Sequence, residues 1–298
     1  MTSEMLSGPD LGAGFLHQLS FDTEGEATTF TFHVQDGGSD AGGPPIGSPE
    51  AFGFAPARSA CMFGGPRCWH RRFLLPRSEA PRVRQAYNRN RFVLETMVGQ
   101  AYGNRPVDLR GGLREVLRRL GGPGPAEDPD WYVGGSAAAL LLGAPVSPHD
   151  LDLGTSRAGV DRIAAALSEY LIEPVAPTDW PGVGIVRAAR AFVGSFQEGV
   201  RVEWAVPLEP HEPRPFEEWS GPGVVRLETA EFEGRRVRVS RPEYALVRSA
   251  EKGGTEVMRA LAGFVRDHGV DRPLLDVLLE RSPMALGERE ALRKELER

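Results

Sequence analysis

The chain has 298 residues, 41% hydrophobic and 26% charged, with 35 Lys and Arg against 41 Asp and Glu and a formal net charge of −6. That length holds two domains, or one core with substantial additions, and the acidic balance argues against a broad affinity for nucleic acid. No apolar run approaches the roughly 20 residues of a bilayer span. Residues 1–10 lack the basic start and apolar stretch of a secretory signal, and Cys61 and Cys68 are too few for a disulfide framework, so a reducing cytoplasm is expected.

In chain order, residues 15–35 read as a hairpin, with Phe30, Phe32 and Val34 alternating at the strand period. Residues 36–66, rich in Gly, Pro, Ser and Ala, read as a loop or linker. Cys61, Cys68 and His70, with His33 or another residue as a fourth ligand, are a candidate zinc set, although closely spaced Cys pairs are the usual pattern; buried thiols, or a strand edge anchored by Trp69, are the alternatives. Arg67, Arg71, Arg72, Arg77, Arg82, Arg84, Arg89 and Arg91, interleaved with Trp69, Phe73 and Tyr87, suit a phosphate backbone with stacked bases. They equally suit an arginine-rich face paired with acids elsewhere in the fold. Residues 81–102 and 110–120 are expected to be helical, and a Gly-Pro break follows at 121–125.

The segment that carries chemistry is 131–154. Trp131-Tyr132-Val133 is an apolar strand running into Gly134-Gly135-Ser136, and an apolar helix follows. The chain re-enters a strand at Asp150, where Asp150 and Asp152 alternate with Leu151 and Leu153. Residues two apart in a strand share a face, so the carboxylates stand side by side while the leucines are buried. Such a pair repels itself unless a cation intervenes, and hard oxygen ligands suit Mg²⁺ carried in with a nucleotide. The Gly-Gly-Ser turn offers backbone N–H groups to a phosphate, and Ser136 is a candidate helix N-cap. Residues 159–171 read as an amphipathic helix with Ile163, Ala166, Leu167 and Tyr170 on one side. Residues 185–206 read as two antiparallel strands, and 224–239 as further strand with a turn at Glu233-Gly234. From Arg241 the pattern is helical, with Pro242 at a first helical turn and Arg248 and Lys252 four apart on one face.

Gly135-Ser136 at a strand-to-helix turn, then Asp150-Leu151-Asp152, then an acid in the later strand Val200–Val206, resembles the nucleotidyltransferase superfamily, which includes polymerase-beta-like, CCA-adding and antibiotic-adenylylating enzymes. The resemblance covers residues 113–208, with a weaker echo in the helical tail. It implies an α/β (α+β) fold with a mixed sheet flanked by helices. It implies Asp150, Asp152 and Glu203 as catalytic and metal-binding acids, Mg²⁺ as cofactor and a nucleoside triphosphate as donor. Gly134, Gly135 and Ser136 would bind the triphosphate, and Lys252 would reach it or the acceptor. The bland alternatives are an exposed strand face for the aspartates, an exposed edge-strand carboxylate for Glu203 and a solvated surface lysine for Lys252.

The expected organisation is an N-terminal accessory region (1–110), a catalytic domain (111–240) and a C-terminal helical subdomain (241–298). The implied activity is transfer of a nucleoside monophosphate to an acceptor hydroxyl, on a small molecule or on an RNA end reached by the arginine-rich segment. A catalytically inactive nucleotide-binding or interaction module is the alternative.

Overall fold

The protein is described by a computed structural model. Backbone is described for residues 2–10, 16–24, 27–35 and 68–76, for scattered helical residues between 81 and 100, and for 105–121, 131–180, 184–207 and 225–297; side chains are described from 81 onward except at 176–185, 207 and 255.

The N-terminal strands β1 (Thr2–Asp10), β2 (Leu16–Glu24), β3 (Ala27–Gln35) and β4 (Cys68–Pro76) form an antiparallel meander. The expected hairpin is β2–β3, with Phe21 opposite Phe30; β1 extends it on one edge and β4 on the other. The region 36–66 lies outside the described residues, as does Cys61. The described residues of the expected helix 81–102 are helical.

A second sheet has seven strands in the order β10-β11-β5-β6-β9-β8-β7. These are β5 (Trp131–Gly134), β6 (Asp150–Thr155), β7 (Leu171–Trp180), β8 (Gly184–Val193), β9 (Val200–Pro207), β10 (Leu227–Phe232) and β11 (Arg235–Ser240). The pairs β11–β5 and β6–β9 are parallel and the others antiparallel, giving the expected mixed sheet. Glu233 and Gly234 turn β10 into β11 with φ of 51° and 75°, the left-handed pair that matches the strand twist of a tight hairpin.

One face of this sheet packs on α1 (Leu109–Leu120) and α3 (Arg157–Ala166). Leu113, Val116 and Leu117 of α1 and Val160 and Ile163 of α3 bury against Leu151, Leu153, Val202 and Trp204. The Trp204 indole N–H donates to the Val160 carbonyl at 3.1 Å, so the largest side chain of this layer is buried without an orphaned donor. On the other face Tyr132 joins the core of the C-terminal helices α4 (Pro242–Glu251), α5 (Thr255–His268), α6 (Arg272–Arg281) and α7 (Leu286–Glu297). The short helix α2 (Gly135–Leu141) follows β5 and contributes Ala137 and Ala138 to the first core and Ala139 to the second. Glu243, fully buried in α4, receives the Asp271 backbone N–H at 2.7 Å and both Arg241 donors at 3.0 Å, tying α4 to α6. A buried carboxylate needs such partners to offset desolvation.

Two elements differ from expectation. The helix expected over 159–171 spans Arg157–Ala166; Leu167 ends it, Ser168–Tyr170 form a 3₁₀ turn, and Leu171 already belongs to β7. Strand β7 carries Pro174 and Pro177, which hide it from a strand pattern. It survives because it is an edge strand with register irregularities at Leu171/Glu173 and Glu173/Ala176, where prolines are tolerated.

Glycine 154 faces Tyr132 on the strand pair that carries the aspartates. A Cβ there would lie 1.9 Å from the Tyr132 ring, so Gly154→Ala is expected to cost about 1–3 kcal/mol by overpacking, measurable as a lowered urea midpoint. Glu115 in α1 takes a two-pronged pair from Arg118 at 2.5 and 2.6 Å, a bond from Arg119 at 2.9 Å and the Tyr170 hydroxyl at 2.8 Å. Arg118 first, then Arg119 and Tyr170, hold its carboxyl at about 2 against burial, below its ordinary 4.5. A depressed carboxyl contributes stability in full above its unfolded value and loses it as pH falls towards the folded one. Glu115→Gln should therefore cost stability above pH 5 and converge with the unmodified protein as pH drops from about 4.5 to about 2; denaturant titrations across that window measure it.

Candidate active site

The register of the seven-stranded sheet builds the site. Asp152 in β6 is opposite Gly134 in β5 on one side and Glu203 in β9 on the other. Glu203 is in turn opposite Arg190 in β8, and Arg190 opposite Glu173 in β7. A single row thus crosses five strands as Gly134, Asp152, Glu203, Arg190, Glu173. In the next row Asp150 is opposite Arg201, and Arg201 opposite Phe192. Val202 and Trp204 point into the α1/α3 core, so the alternation along β9 puts Arg201 and Glu203 on the other face with Asp150 and Asp152.

Asp150, Asp152 and Glu203 each bring a carboxylate oxygen within 4.8 Å of the others. Three such acids on one face repel strongly, and the sheet answers with two arginines. Arg201 reaches Asp150 Oδ2 through Nη2 at 2.5 Å and Glu203 Oε1 through Nε at 3.0 Å. Arg190 places Nε 2.7 Å from the same Glu203 oxygen and Nη1 3.0 Å from Glu173. The two Nε contacts act through charge, since their angles fall off the line of a hydrogen bond. Glu203, with Asp150 behind it, raises the Arg201 pKa above its ordinary value despite burial. Burial works hardest against the charge on Arg190, but Glu173 and Glu203 together outweigh it and its pKa is also raised. Both guanidinium groups are fixed positive charges at any working pH.

The structure brings the three expected acids together. Glu203 is 6% exposed and β9 lies inside the sheet, which corrects the alternative of an exposed edge-strand carboxylate. Asp150 and Asp152 are half-buried. The glycine turn stands beside them: Gly135 has φ 60°, and a Cβ on it would lie 2.5 Å from Asp152 Oδ2. Only glycine leaves that carboxylate room against the backbone. The N-cap of α2 is Gly134, with no side-chain capping bond, and Ser136 falls inside the first turn; the expectation of Ser136 as the cap is corrected, because the chain enters the helix two residues early through the left-handed Gly135. Lys252 is the exposed C-cap of α4 and is not among the residues of the acidic cluster.

The arginine-rich segment divides. Arg71 and Arg72 are on β4, Arg82 is exposed and helical, and Arg67, Arg77, Arg84 and Arg91 lie outside the described residues. Arg89 is committed to packing: it donates to the Phe192 carbonyl at 2.9 Å and its guanidinium sits 5.2 Å from the Tyr170 and Phe196 ring centres. Burial lowers its pKa. For the candidate zinc set, backbone register places His33 opposite His70; the side chains lie outside the described residues.

Sequence reasoning missed Arg190 and Glu173 and gave Arg201 no role. Arg201 was findable, two residues before Glu203 on the same strand face. Arg190 and Glu173 were not, because they meet Glu203 only through the order of β7, β8 and β9.

The model of the aminoglycoside-2''-adenylyltransferase family matches residues 125–247, the span that runs from the entry to β5 through the middle of α4. Among solved structures, a protein from Thermotoga maritima provisionally assigned as a nucleotidyltransferase is 19% identical, with 56% of this chain and 99% of that one covered and a TM-score of 0.36. An antigenic nucleotidyltransferase-like protein from Paracoccidioides brasiliensis is 14% identical, with 56% and 84% covered and a TM-score of 0.32. Superpositions at these scores carry no functional conclusion. No curated protein matches the chain significantly. The family match covers the Gly-Gly-Ser turn, both aspartates and Glu203 in the order the motif requires, and over that span the chain is similar to aminoglycoside-2''-adenylyltransferases.

Proposed function

We propose that the chain is a Mg²⁺-dependent nucleotidyltransferase that moves a nucleoside monophosphate from a nucleoside triphosphate to a hydroxyl of a small molecule. The observation that carries this reading is the convergence of Asp150, Asp152 and Glu203 on one face, next to a glycine turn shaped around the Asp152 carboxylate, within the span of the family match.

The residues fit a hard divalent cation. Three carboxylates offer oxygen donors within 4.8 Å of each other, close enough for one ion to be shared between them, and Gly135, with no Cβ, lets the Asp152 carboxylate sit against the turn. Asp150 and Asp152 would hold the ion, with Glu203 as third acid of the cluster. When bound, Mg²⁺ supplies charge neutralisation at the α-phosphate and at the departing pyrophosphate. Gly134, Gly135 and Ser136 would orient the triphosphate through the backbone N–H groups of their turn. The row of charges through Glu203, Arg190 and Glu173 fixes the acids in place before substrate arrives, which lowers the reorganisation needed in the transition state.

A small-molecule acceptor is supported on two counts. The matching family adenylylates an aminoglycoside hydroxyl by its name, and Arg89, a member of the arginine-rich segment that an RNA acceptor would use, is engaged in internal packing. Lys252 is exposed and is retained as a candidate contact to the triphosphate.

Pyrophosphate release with ATP or GTP, Mg²⁺ and a panel of aminoglycosides, with RNA as a separate acceptor, tests the activity. Release with an aminoglycoside and its loss in Asp152→Asn, at unchanged circular dichroism, are the expected results. Tight nucleotide binding with no release for any acceptor would instead favour the inactive nucleotide-binding module. Gly135→Ala should cost roughly 1–2 kcal/mol in stability from its left-handed backbone and weaken Mn²⁺ binding about 10–100-fold by displacing Asp152, read by calorimetric titration.

A further inference from the structure

A pair of acids flanks one basic side chain inside the candidate site. Asp150 and Glu203 are the two acids, Arg201 the basic group. Its Nη2 lies 2.5 Å from Asp150 Oδ2 and its Nε 3.0 Å from Glu203 Oε1, so one planar guanidinium spans the gap between them. The gap is not incidental: Arg201 is opposite Asp150 across the β6–β9 pair and two residues before Glu203 on its own strand, so backbone register puts it on the acidic face and its contacts with both carboxylates hold the guanidinium there. Arg190 closes the far side of Glu203 at 2.7 Å and is itself held by Glu173.

We propose that Arg201 is a resident counter-ion of the acidic cluster, standing where a second divalent cation would bridge Asp150 and Glu203, so that the site takes one divalent cation, on Asp150 and Asp152. Glu203 then holds Arg201 in place as a positioning residue and binds no metal. The inference rests on the nucleotidyltransferase reading and narrows it.

Charge and geometry both favour this arrangement. Asp150 Oδ2 and Glu203 Oε1, two of the oxygens open to a bridging ion, are the oxygens the arginine contacts. A divalent cation placed between them would meet the guanidinium charge of Arg201 at contact distance and that of Arg190 across Glu203. Asp152 stands on the β5 side of the row, where its register partner is Gly134, and its Oδ2 packs against Gly135, where a Cβ would lie 2.5 Å away; its charge also acts on Arg201, less strongly than those of Glu203 and Asp150. Arginine suits the bridging role because its planar fork keeps its charge at any pH and contacts two carboxylates at once.

The test counts ions and does not depend on turnover. The full-length protein is saturated with a non-hydrolysable α,β-methylene ATP analogue, and bound Mn²⁺ per complex is measured by electron paramagnetic resonance. The unmodified protein is expected to hold one Mn²⁺. Arg201→Gln is expected to hold two and to drop back to one when Glu203→Gln is added, while Arg201→Lys keeps one. Melting in the presence of EDTA should fall for Arg201→Gln and recover with Mn²⁺, because the variant leaves the acids uncompensated. Two ions in the unmodified protein overturn the inference, whether or not any variant folds; so does one ion in a folded Arg201→Gln, and so does none in the unmodified protein. Pyrophosphate release, measured separately, reports on the nucleotidyltransferase reading: release together with two ions would sink the counter-ion role and leave the activity standing.

Discussion

The register between β6 and β9 is the constraint on which the site depends. Parallel pairing sets Asp152 opposite Glu203 and Asp150 opposite Arg201. A slip of one residue would turn Arg201 and Glu203 into the core and bring Val202 and Trp204 to the acidic face. The register is in turn held by the other side of the same strands. Leu151, Leu153, Val202 and Trp204 are fully buried against α1 and α3, and burying side chains of this kind stabilises by roughly 1.5–3 kcal/mol each. The apolar face thus enforces an arrangement that the polar face alone would reject.

Three carboxylates within 4.8 Å of one another repel, and the sheet offsets that with a cross-strand charge row. Running from Asp152 through Glu203 and Arg190 to Glu173, the row alternates sign after its first pair, and Arg201 bridges the second pair of acids. Opposite charges directly across strands stabilise, and like charges in the same place do the reverse. The arginines are half-buried with their acids, where interactions are less screened than at the surface. A folded protein with a pre-set acidic cluster needs such compensation, because an unpaired buried charge is costly.

The C-terminal helices serve the same face from outside. Tyr132, on the strand that leads into the glycine turn, is packed in their core, and Gly154 leaves the space its ring fills. The tail is therefore coupled to the turn through Tyr132 and Ala139, and the Arg241–Glu243–Asp271 contacts keep α4 and α6 in fixed relation to each other. No helix among the described residues is long and apolar enough to cross a membrane.

Much of this was legible in the sequence because it rests on local pattern. The two-residue alternation of Asp150-Leu-Asp-Leu153 defines a strand with one acidic and one apolar face, Gly135 supplies the residue type that fits a left-handed entry beside a carboxylate, and Glu233-Gly234 announces its hairpin. Order along the chain also named Glu203 as the third acid. Strand β7 was hidden by Pro174 and Pro177, whose cost depends on whether a strand lies at an edge, a property that no local window contains. The partners of Glu203 were hidden for the same reason: Arg190 and Glu173 lie 13 and 30 residues away in sequence and meet it only once β9, β8 and β7 are laid side by side. Sequence determined which residues carry charge and which way each strand faces; strand order and register, fixed by burial on the opposite side of the sheet, decided which charges stand together.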